Sequence, residues 1–142
     1  ISDPMGIEGP AGDSQGLGLL NVNTVMTSNK NLSRVQGLHC ASQTLIEGYE
    51  IHIGETQGLD RNRPFAKIAG QSEGATSPDG RIIGSYLHGM FQEDNFRVAF
   101  LRQLGAITTQ QNYSATVDVT LDALAAHMER TCDVAGLLGL AR

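Results

Sequence analysis

The stretch from Gly84 to Phe91, GSYLHGMF, constrains the fold more than any other part of this chain. Its pattern is that of a short strand that ends on His88, followed at once by Gly89 and then by a helix. A histidine at a strand end, with no side chain behind it to crowd the ring, is well placed to reach into a site. We therefore expect the upstream residues to form the sheet that supports this strand, and the downstream residues to form helices that cover it.

Composition narrows the class of protein. The chain has 142 residues, of which 40% are hydrophobic and 18% charged, as expected for one soluble globular domain. The net charge of −5 and the scattered basic residues argue against a nucleic-acid binder. No apolar run approaches the roughly 20 residues of a membrane span, and no basic segment precedes an apolar stretch as in a signal peptide. A cytoplasmic protein with no membrane partner is expected.

The positions of glycine and proline, and the alternation of apolar and polar residues, divide the chain into three parts. Glycine and proline are so frequent in residues 1–20 that a loop is predicted there. Residues 21–91 are predicted to form mixed, largely antiparallel strands, and residues 94–142 to form helices. Within the strand region, a first strand near Val22–Met26 and a second near Leu32–Cys40 are expected to form a hairpin around the polar residues 28–31.

Residues 44–56 alternate strictly, as in a strand. One face of this strand is predicted to pack in the core and carries Tyr49, Ile51 and Ile53. The opposite face, with Glu50 and His52, is predicted to meet solvent or a cleft.

A second hairpin is predicted over residues 73–88. Its turn is Pro78-Asp79-Gly80, because Asp-Gly between two strand-like runs favours a tight turn. In the second strand of this hairpin, one face is expected to carry Ile82, Gly84, Tyr86 and His88.

Two helices are predicted after the strands. Asp94 is a suitable N-cap for a helix over Asn95–Leu104, and Gly105 suits its end. Residues 106–117 are predicted to be a polar connection, and Thr120 is predicted to cap a last helix. The apolar stripe of that helix, expected to pack in the core, comprises Leu121, Leu124, Ala125, Met128 and Cys132.

The chemistry-bearing residues leave several roles open. His88 and His52 both lie on predicted strands just before glycine, and either could be a general base, a metal ligand or a structural hydrogen-bonding group. Metal binding is disfavoured because the chain has no CxxC or HxH pattern. Cys40 and Cys132 are interpreted as reduced thiols, and neither lies in the GxSxG-like elbow that an activated nucleophile needs. His39 and His127 are interpreted as structural.

Six motifs in order nevertheless resemble the C-terminal part of the cobyric acid synthase family, whose members carry a CobQ-type class I glutamine amidotransferase domain. The resemblance covers the chain from Asp3 to about Gly105. The motifs are Asp3–Gly9, Gly16–Leu20, Gly48–Thr56, Arg63–Phe65, Asp79–Phe91 and Asn95–Leu101.

The resemblance implies an α/β fold, namely part of a flavodoxin-like three-layer α/β/α domain. It implies that His88, in the motif YLHG, is the catalytic histidine, and that the GYEIHIG strand lines the glutamine pocket with Tyr49, Glu50 and His52. In the family, a cysteine attacks the glutamine amide, a histidine transfers protons, and the released ammonia amidates corrinoid side-chain carboxylates in cobalamin (vitamin B12) biosynthesis. Related families are the cobyrinic acid a,c-diamide synthases and the amidotransferase that modifies lipid II. The alternative function within this resemblance is that of a cobyrinic acid a,c-diamide synthase or another CobB/CobQ-like amidotransferase.

This chain departs from the family pattern in two ways. The nucleophile elbow should lie just before Ile1, so we expect the nucleophile, the first strands and the ATP-binding domain to lie outside this chain. ATP and Mg²⁺ are expected only for that domain, and no cofactor is expected here. Many relatives carry Glu two residues after the histidine, where this chain has Met90. The third member of the triad is therefore either missing or replaced, with Glu50 and Glu93 as the candidates.

Three expectations follow from those departures. The chain alone should be inactive as a glutaminase. Because a sheet without its first strands has a long unpaired edge, the chain should either self-associate through that edge or form only the residual antiparallel sheet with two or three helices. The alternative to an enzyme part is a scaffold that retains the fold to bind a partner without catalysis.

Overall fold

The computed structural model describes residues 1–109 and 111–141. The chain divides into two compact units, Ile1–Thr109 and Gln110–Arg142, which we call the sheet unit and the helical unit. No helix in the described part of the chain is long and apolar enough to cross a bilayer.

The sheet unit contains short strands around one long hairpin. Its strands are β1 (Ser2–Asp3), β2 (Gly12–Asp13), β3 (Asn23–His39), β4 (Leu45–Gln57), β5 (Ala66–Ile68), β6 (Gln71–Glu73), β7 (Ala75–Thr76), β8 (Ile83–Gly84) and β9 (Leu87–His88). Single 3-10 turns cover Leu59–Asn62 and Met90–Gln92, and one α-helix, α1, covers Asp94–Gln103.

Strands β3 and β4 form the central antiparallel hairpin. The predicted turn at residues 28–31 is wrong, because β3 runs continuously through it. The register shifts there, so that residues 26–29 of β3 lie opposite Gly54 alone. This bulge includes the first two residues of the predicted turn, and the other two pair with β4. Gly54 adopts φ +120°, which favours glycine.

The main sheet is mixed and has seven strands. Its order is β2-β1-β3-β4-β9, with β5 paired to the last three residues of β3, on the side away from β4, and β6 beside β5. The pair β1–β3 is parallel and the other pairs are antiparallel. Residues 1–20 were predicted to be a loop, but two short strands within them attach to this sheet.

The predicted 73–88 hairpin is shorter than expected. Strands β7 and β8 pair alone as a separate two-stranded sheet around the Asp79-Gly80 turn. The chain then leaves this hairpin, and β9 joins the edge of β4 in the main sheet. Tyr86 and His88 were expected on one face of one strand, but Tyr86 precedes β9 and stacks on His52, whereas His88 stacks on Tyr49.

The core of the sheet unit lies between the sheet and α1. It consists of Ile46, Phe65, Ala66, Leu87 and Phe96, with Val35, Ile68, Met90 and Phe100 packed against them. The Glu93 carboxylate accepts a hydrogen bond from the Phe96 amide and caps α1, so the N-cap is one residue earlier than predicted. Gly105 follows the helix in the left-handed conformation, as its position suggested.

The helical unit consists of α2 (Tyr113–Thr131) and α3 (Val134–Leu140). Helix α2 begins seven residues before Thr120, because the Asn112 side chain caps it by accepting from the Ala115 amide. The predicted packing of its apolar stripe in a core is wrong, since no described residue of α2 is buried. A unit of two helices is too small to enclose such a stripe.

Candidate active site

The register of β4 and β9 separates the candidate residues onto two faces of the main sheet. Tyr49 lies directly opposite His88, and Glu50 lies directly opposite Leu87. Because side chains alternate along a strand, Tyr49 and His88 share one face, while Glu50, His52 and Leu87 share the other.

The two faces differ in burial. Leu87 is 4% exposed beneath α1, whereas Tyr49 is 43% exposed and Ile51 is 39% exposed. We call the first side the covered face and the second the open face. The prediction that Tyr49 and Ile51 point into the core is therefore wrong, since α1 packs against the face that they do not occupy.

His88 ends β9 on the open face, and its side chain is exposed. Its imidazole stacks on the Tyr49 ring, with centroids 5.4 Å apart and planes inclined by 12°. Within the described residues, neither ring nitrogen has a hydrogen-bond partner. The structure thus presents an exposed imidazole whose nitrogens are not engaged by the described part of the chain.

Two glycines allow β9 and its histidine to approach β4 so closely. A Cβ atom on Gly48 would lie 2.2 Å from the His88 carbonyl oxygen, so any larger residue displaces the strand. Gly89 adopts φ +75°, and a Cβ there would lie 3.4 Å from Cε1 of Tyr49. Both glycines belong to motifs that the sequence singled out, but their steric role appears only once β4 and β9 are paired.

A cavity of about 480 Å³ lies on the covered side of β4, away from His88. Its lining includes Glu50, His52, Glu73, Arg61 and Tyr86. Glu50 and His52 were predicted to face solvent or a cleft, and they line this cleft. The three residues assigned to a glutamine pocket are thus divided, with Tyr49 beside His88 and the other two on the opposite face.

Glu73 organises the segment that leads into β9. Both of its carboxylate oxygens accept from the Ser85 hydroxyl, at 3.1 Å each, and one accepts from the Tyr86 amide at 2.8 Å. Burial raises the pKa of the Glu73 carboxyl, although these hydrogen bonds oppose the shift. Sequence reasoning missed Glu73, because its partners are 12 and 13 residues away and only the fold brings them together.

Tyr86 is fixed on the covered side by its ring and its hydroxyl group. Its ring stacks on His52 with centroids 4.3 Å apart. Its hydroxyl bonds to the Thr56 hydroxyl, which in turn bonds to the Thr24 hydroxyl at 2.6 Å. Nδ1 of His52 is buried and has no hydrogen-bond partner among the described residues.

The acids considered as triad members do not contact His88. Glu50 faces the other side of the sheet, and Glu93 is engaged as the cap of α1. Met90, which stands where many relatives carry Glu, packs against the hydrophobic core. In the described part of the chain, no carboxylate orients this imidazole.

The remaining histidines and cysteines have other environments. His39 is 3% exposed, packs against Phe65, Phe96 and Phe100, and has its pKa lowered by burial. Cys40 and Cys132 are both free thiols. Among the described residues, no group of three His, Cys, Asp or Glu side chains is arranged to hold a metal ion.

Two of the sequence motifs have structural roles. In the RPF motif, Arg63 forms an ion pair with buried Asp60 and donates to the Thr76 carbonyl at 3.0 Å, which ties β7 to the preceding turn. In the DPMGIEG motif, the Asp3 carboxylate accepts from the amides of Ile7 and Glu8, and these bonds lower the pKa of that carboxyl.

Comparison with known proteins identifies the family of this domain. Residues 1–96 match the CobB/CobQ-like glutamine amidotransferase domain. Relatives include the cobyric acid synthases of Rhodobacter capsulatus, 59% identical over 142 residues, and of Bradyrhizobium diazoefficiens, 56% identical over 142 residues. Each match covers 100% of this chain and 30% of the relative, so the chain spans about a third of the length of these proteins.

Proposed function

The chain belongs to the family of CobB/CobQ-like glutamine amidotransferase domains, and we propose that it is the histidine-bearing part of the glutaminase in a cobyric acid synthase. Such an enzyme transfers ammonia from glutamine to activated corrinoid carboxylates in cobalamin biosynthesis, which we place in the cytoplasm. The observation that carries the proposal is His88, held at the end of β9 on the open face with both ring nitrogens accessible.

In this proposal, His88 is the general base and then the general acid of glutamine hydrolysis. The imidazole takes the proton of a cysteine thiol as the sulfur attacks the glutamine amide carbon. It returns that proton to the departing nitrogen, so that ammonia leaves and a γ-glutamyl thioester remains. Water then attacks the thioester with the same imidazole as base, which releases glutamate and restores the thiol.

The nucleophile in this scheme comes from outside residues 1–142. Cys132 belongs to the helical unit, and Cys40 lies in the turn that joins β3 to β4, where its amide donates to the Phe65 carbonyl at 2.9 Å. The turn that holds Cys40 leads from one strand into another, and Cys132 follows a helix, so neither cysteine lies on the strand-to-helix turn that exposes and activates a nucleophile. The open face, where His88 is accessible, is the side from which an external cysteine can approach the ring.

The glutamine site in this proposal lies on the open face, beside His88. The sheet separates this face from the one that carries Glu50 and His52, so a single glutamine side chain cannot reach both faces. Glu50 and His52 then serve the site indirectly, as part of the wall against which Tyr86 packs. ATP and Mg²⁺ would act in the remaining two thirds of a synthase of the relatives' length, where ammonia is consumed.

The proposal is tested in a chimera. The matching region of the R. capsulatus relative is replaced by residues 1–142, and amidation is measured with glutamine or with ammonium chloride as nitrogen source. We expect both activities in the chimera. We expect His88→Ala to lower the glutamine-dependent rate by about 10³-fold or more, a loss typical of a proton-transfer residue that acts with its nucleophile as a unit, and to spare the ammonia-dependent rate.

The ammonia-dependent rate separates catalysis from folding. A His88→Ala chimera that keeps glutamine-dependent activity contradicts the proposed role of this histidine. A chimera that is active with ammonia and inactive with glutamine contradicts the assignment of residues 1–142 to a glutaminase. The 142-residue chain provides a second assay, because we expect it to hydrolyse glutamine no faster than its own His88→Ala variant, and a faster rate would place the nucleophile within the chain.

A further inference from the structure

The imidazole of a general base has to be held in one orientation, and in many triads a carboxylate does this. The acids that sequence reasoning offered for this role are engaged elsewhere, Glu50 on the covered face and Glu93 at the start of α1. The position two residues after the histidine carries Met90, whose side chain packs in the core. The group that orients His88 must therefore be sought among its actual neighbours.

Tyr49 is that neighbour. It lies directly across the strand pair from His88, and the two rings are nearly parallel, with an interplanar angle of 12° and a centroid separation of 5.4 Å. This separation falls in the range of offset-stacked aromatic pairs. A flat stack restricts rotation of the imidazole about its second side-chain torsion, which is otherwise broad.

The surrounding backbone is shaped to permit this stack. Gly48 lets the β9 backbone approach β4, since a Cβ there would meet the His88 carbonyl oxygen at 2.2 Å. Gly89 turns the chain away immediately after His88 at φ +75°, a conformation that favours glycine. Two glycines from two separate motifs thus permit a single geometric result, namely the Tyr49 ring stacked on the imidazole.

We propose that Tyr49 is the positioning residue of the glutaminase, and that its ring does what a carboxylate does in other triads. Stacking leaves both imidazole nitrogens without a protein hydrogen bond, so one can meet the thiol and the other can exchange with water. The inference rests on the proposed function of His88. It assigns Tyr49 to the orientation of the base rather than to the binding of glutamine.

The kinetic test compares three substitutions in the chimera. We expect Tyr49→Ala to lower kcat for glutamine-dependent amidation by about 10- to 100-fold with KM for glutamine changed less than threefold, because orientation affects the proton transfer and not substrate affinity. Tyr49→Phe keeps the ring and should retain kcat within about threefold. Ile51→Ala is the matched control, since Ile51 lies two residues along the same face with similar exposure and should change neither parameter appreciably.

The outcomes are separable. A rise in KM with kcat unchanged would overturn the inference and make Tyr49 a substrate-binding residue. Loss of activity in Tyr49→Phe would also overturn it, because the hydroxyl and not the ring would then matter. If His88→Ala itself has no effect on glutamine-dependent activity, it is the proposed function that fails. Ammonia-dependent activity should be equal in all variants, and a matching loss there would assign the effect to folding.

A measurement on the 142-residue chain tests the same stack without activity. A ring that lies flat on the imidazole shifts the His88 ring protons upfield in the NMR spectrum. We expect this shift in the parent chain and in Tyr49→Phe, and its loss in Tyr49→Leu. An unchanged His88 signal in Tyr49→Leu would show that the two rings are not stacked in solution and would overturn the inference.

Discussion

Alternate residues of strand β4 lie on opposite faces of the sheet, and the two faces have different environments. On the covered face, Ile46 is fully buried and Glu50 and His52 line a cavity beside the core. On the open face, Tyr49 and Ile51 remain about two-fifths exposed, and Tyr49 stacks on His88.

The residues that stabilise the fold therefore lie on one face of the sheet, and the residues of the proposed chemistry lie on the other. The covered face contains the apolar core and the hydrogen bonds of Glu73, whereas the open face offers an imidazole to whatever approaches. Substitutions on the first face should lower the free energy of unfolding, and substitutions on the second should leave it nearly unchanged. The predictions below test this division, beginning with the largest effect.

The largest effect is expected from Phe96 on the covered face. Its side chain is fully buried and contacts the rings of Phe65, Phe91 and Phe100. We expect Phe96→Ala to lower the free energy of unfolding by about 3–5 kcal/mol, because it removes buried apolar surface and leaves a cavity. Urea denaturation of the 142-residue chain, followed by far-UV circular dichroism, measures this change.

The matched variant on the open face is Ile51→Ala. Since Ile51 is 39% exposed, we expect a loss below about 1 kcal/mol. Equal losses in Phe96→Ala and Ile51→Ala would contradict the division of the two faces, because they would mean that the open face is packed in solution.

An intermediate loss of stability is expected at Gly48, where the backbones of β4 and β9 approach each other closely. Gly48→Ala places a methyl group against the His88 carbonyl oxygen, and we expect a cost of roughly 1–3 kcal/mol, as for overpacked sites. The strand pair should open locally, which hydrogen exchange at the amides of Leu87 and His88 would detect. Gly139→Ala is the control, because no atom lies near its added Cβ. Unchanged exchange at β9 in Gly48→Ala would show that the strand tolerates the methyl group.

Sequence patterns predicted those parts of the fold that depend on local chemistry. The Asp79-Gly80 turn and the end of α1 each depend on a glycine with a positive φ, Gly80 in the turn and Gly105 just after the helix. The position of His88 at the end of a strand was predicted for the same reason. The proposed role of His88 in glutamine hydrolysis came from the family resemblance, because the sequence pattern alone allowed a general base, a metal ligand or a structural role.

The wrong predictions concern regions where contacts between residues distant in sequence outweigh local backbone preferences. Polar residues 28–31 look like a turn, but pairing with β4 on both sides carries β3 through them as a bulge. The assignment of Tyr49 and Ile51 to the core failed because alternation separates two faces without saying which one a helix will cover. Glu73 could not be found from sequence, since its partners are defined only when β6 and the segment before β9 are brought together.

The smallest effect is a dependence of stability on pH that originates on the covered face. His39 is packed among three phenylalanine rings, its Nδ1 accepts from the Ser42 amide at 3.2 Å, and burial lowers its pKa below the ordinary value of 6.5. The unfolded chain therefore binds a proton here more readily than the folded chain. Stability from this residue is fully present above about pH 6.5 and is lost as the pH falls below it, toward and through the lowered folded pKa.

Urea denaturation between pH 8 and pH 5 tests this dependence. We expect the free energy of unfolding to decrease from pH 8 to pH 5 because of His39, since the unfolded chain takes up a proton at this residue at a higher pH than the folded chain does. His39→Gln, which cannot titrate, should have a flatter profile than the parent chain at a lower overall stability. The exposed His127→Gln should leave the slope unchanged, and a slope that follows His127 rather than His39 would locate the pH sensitivity away from the covered face.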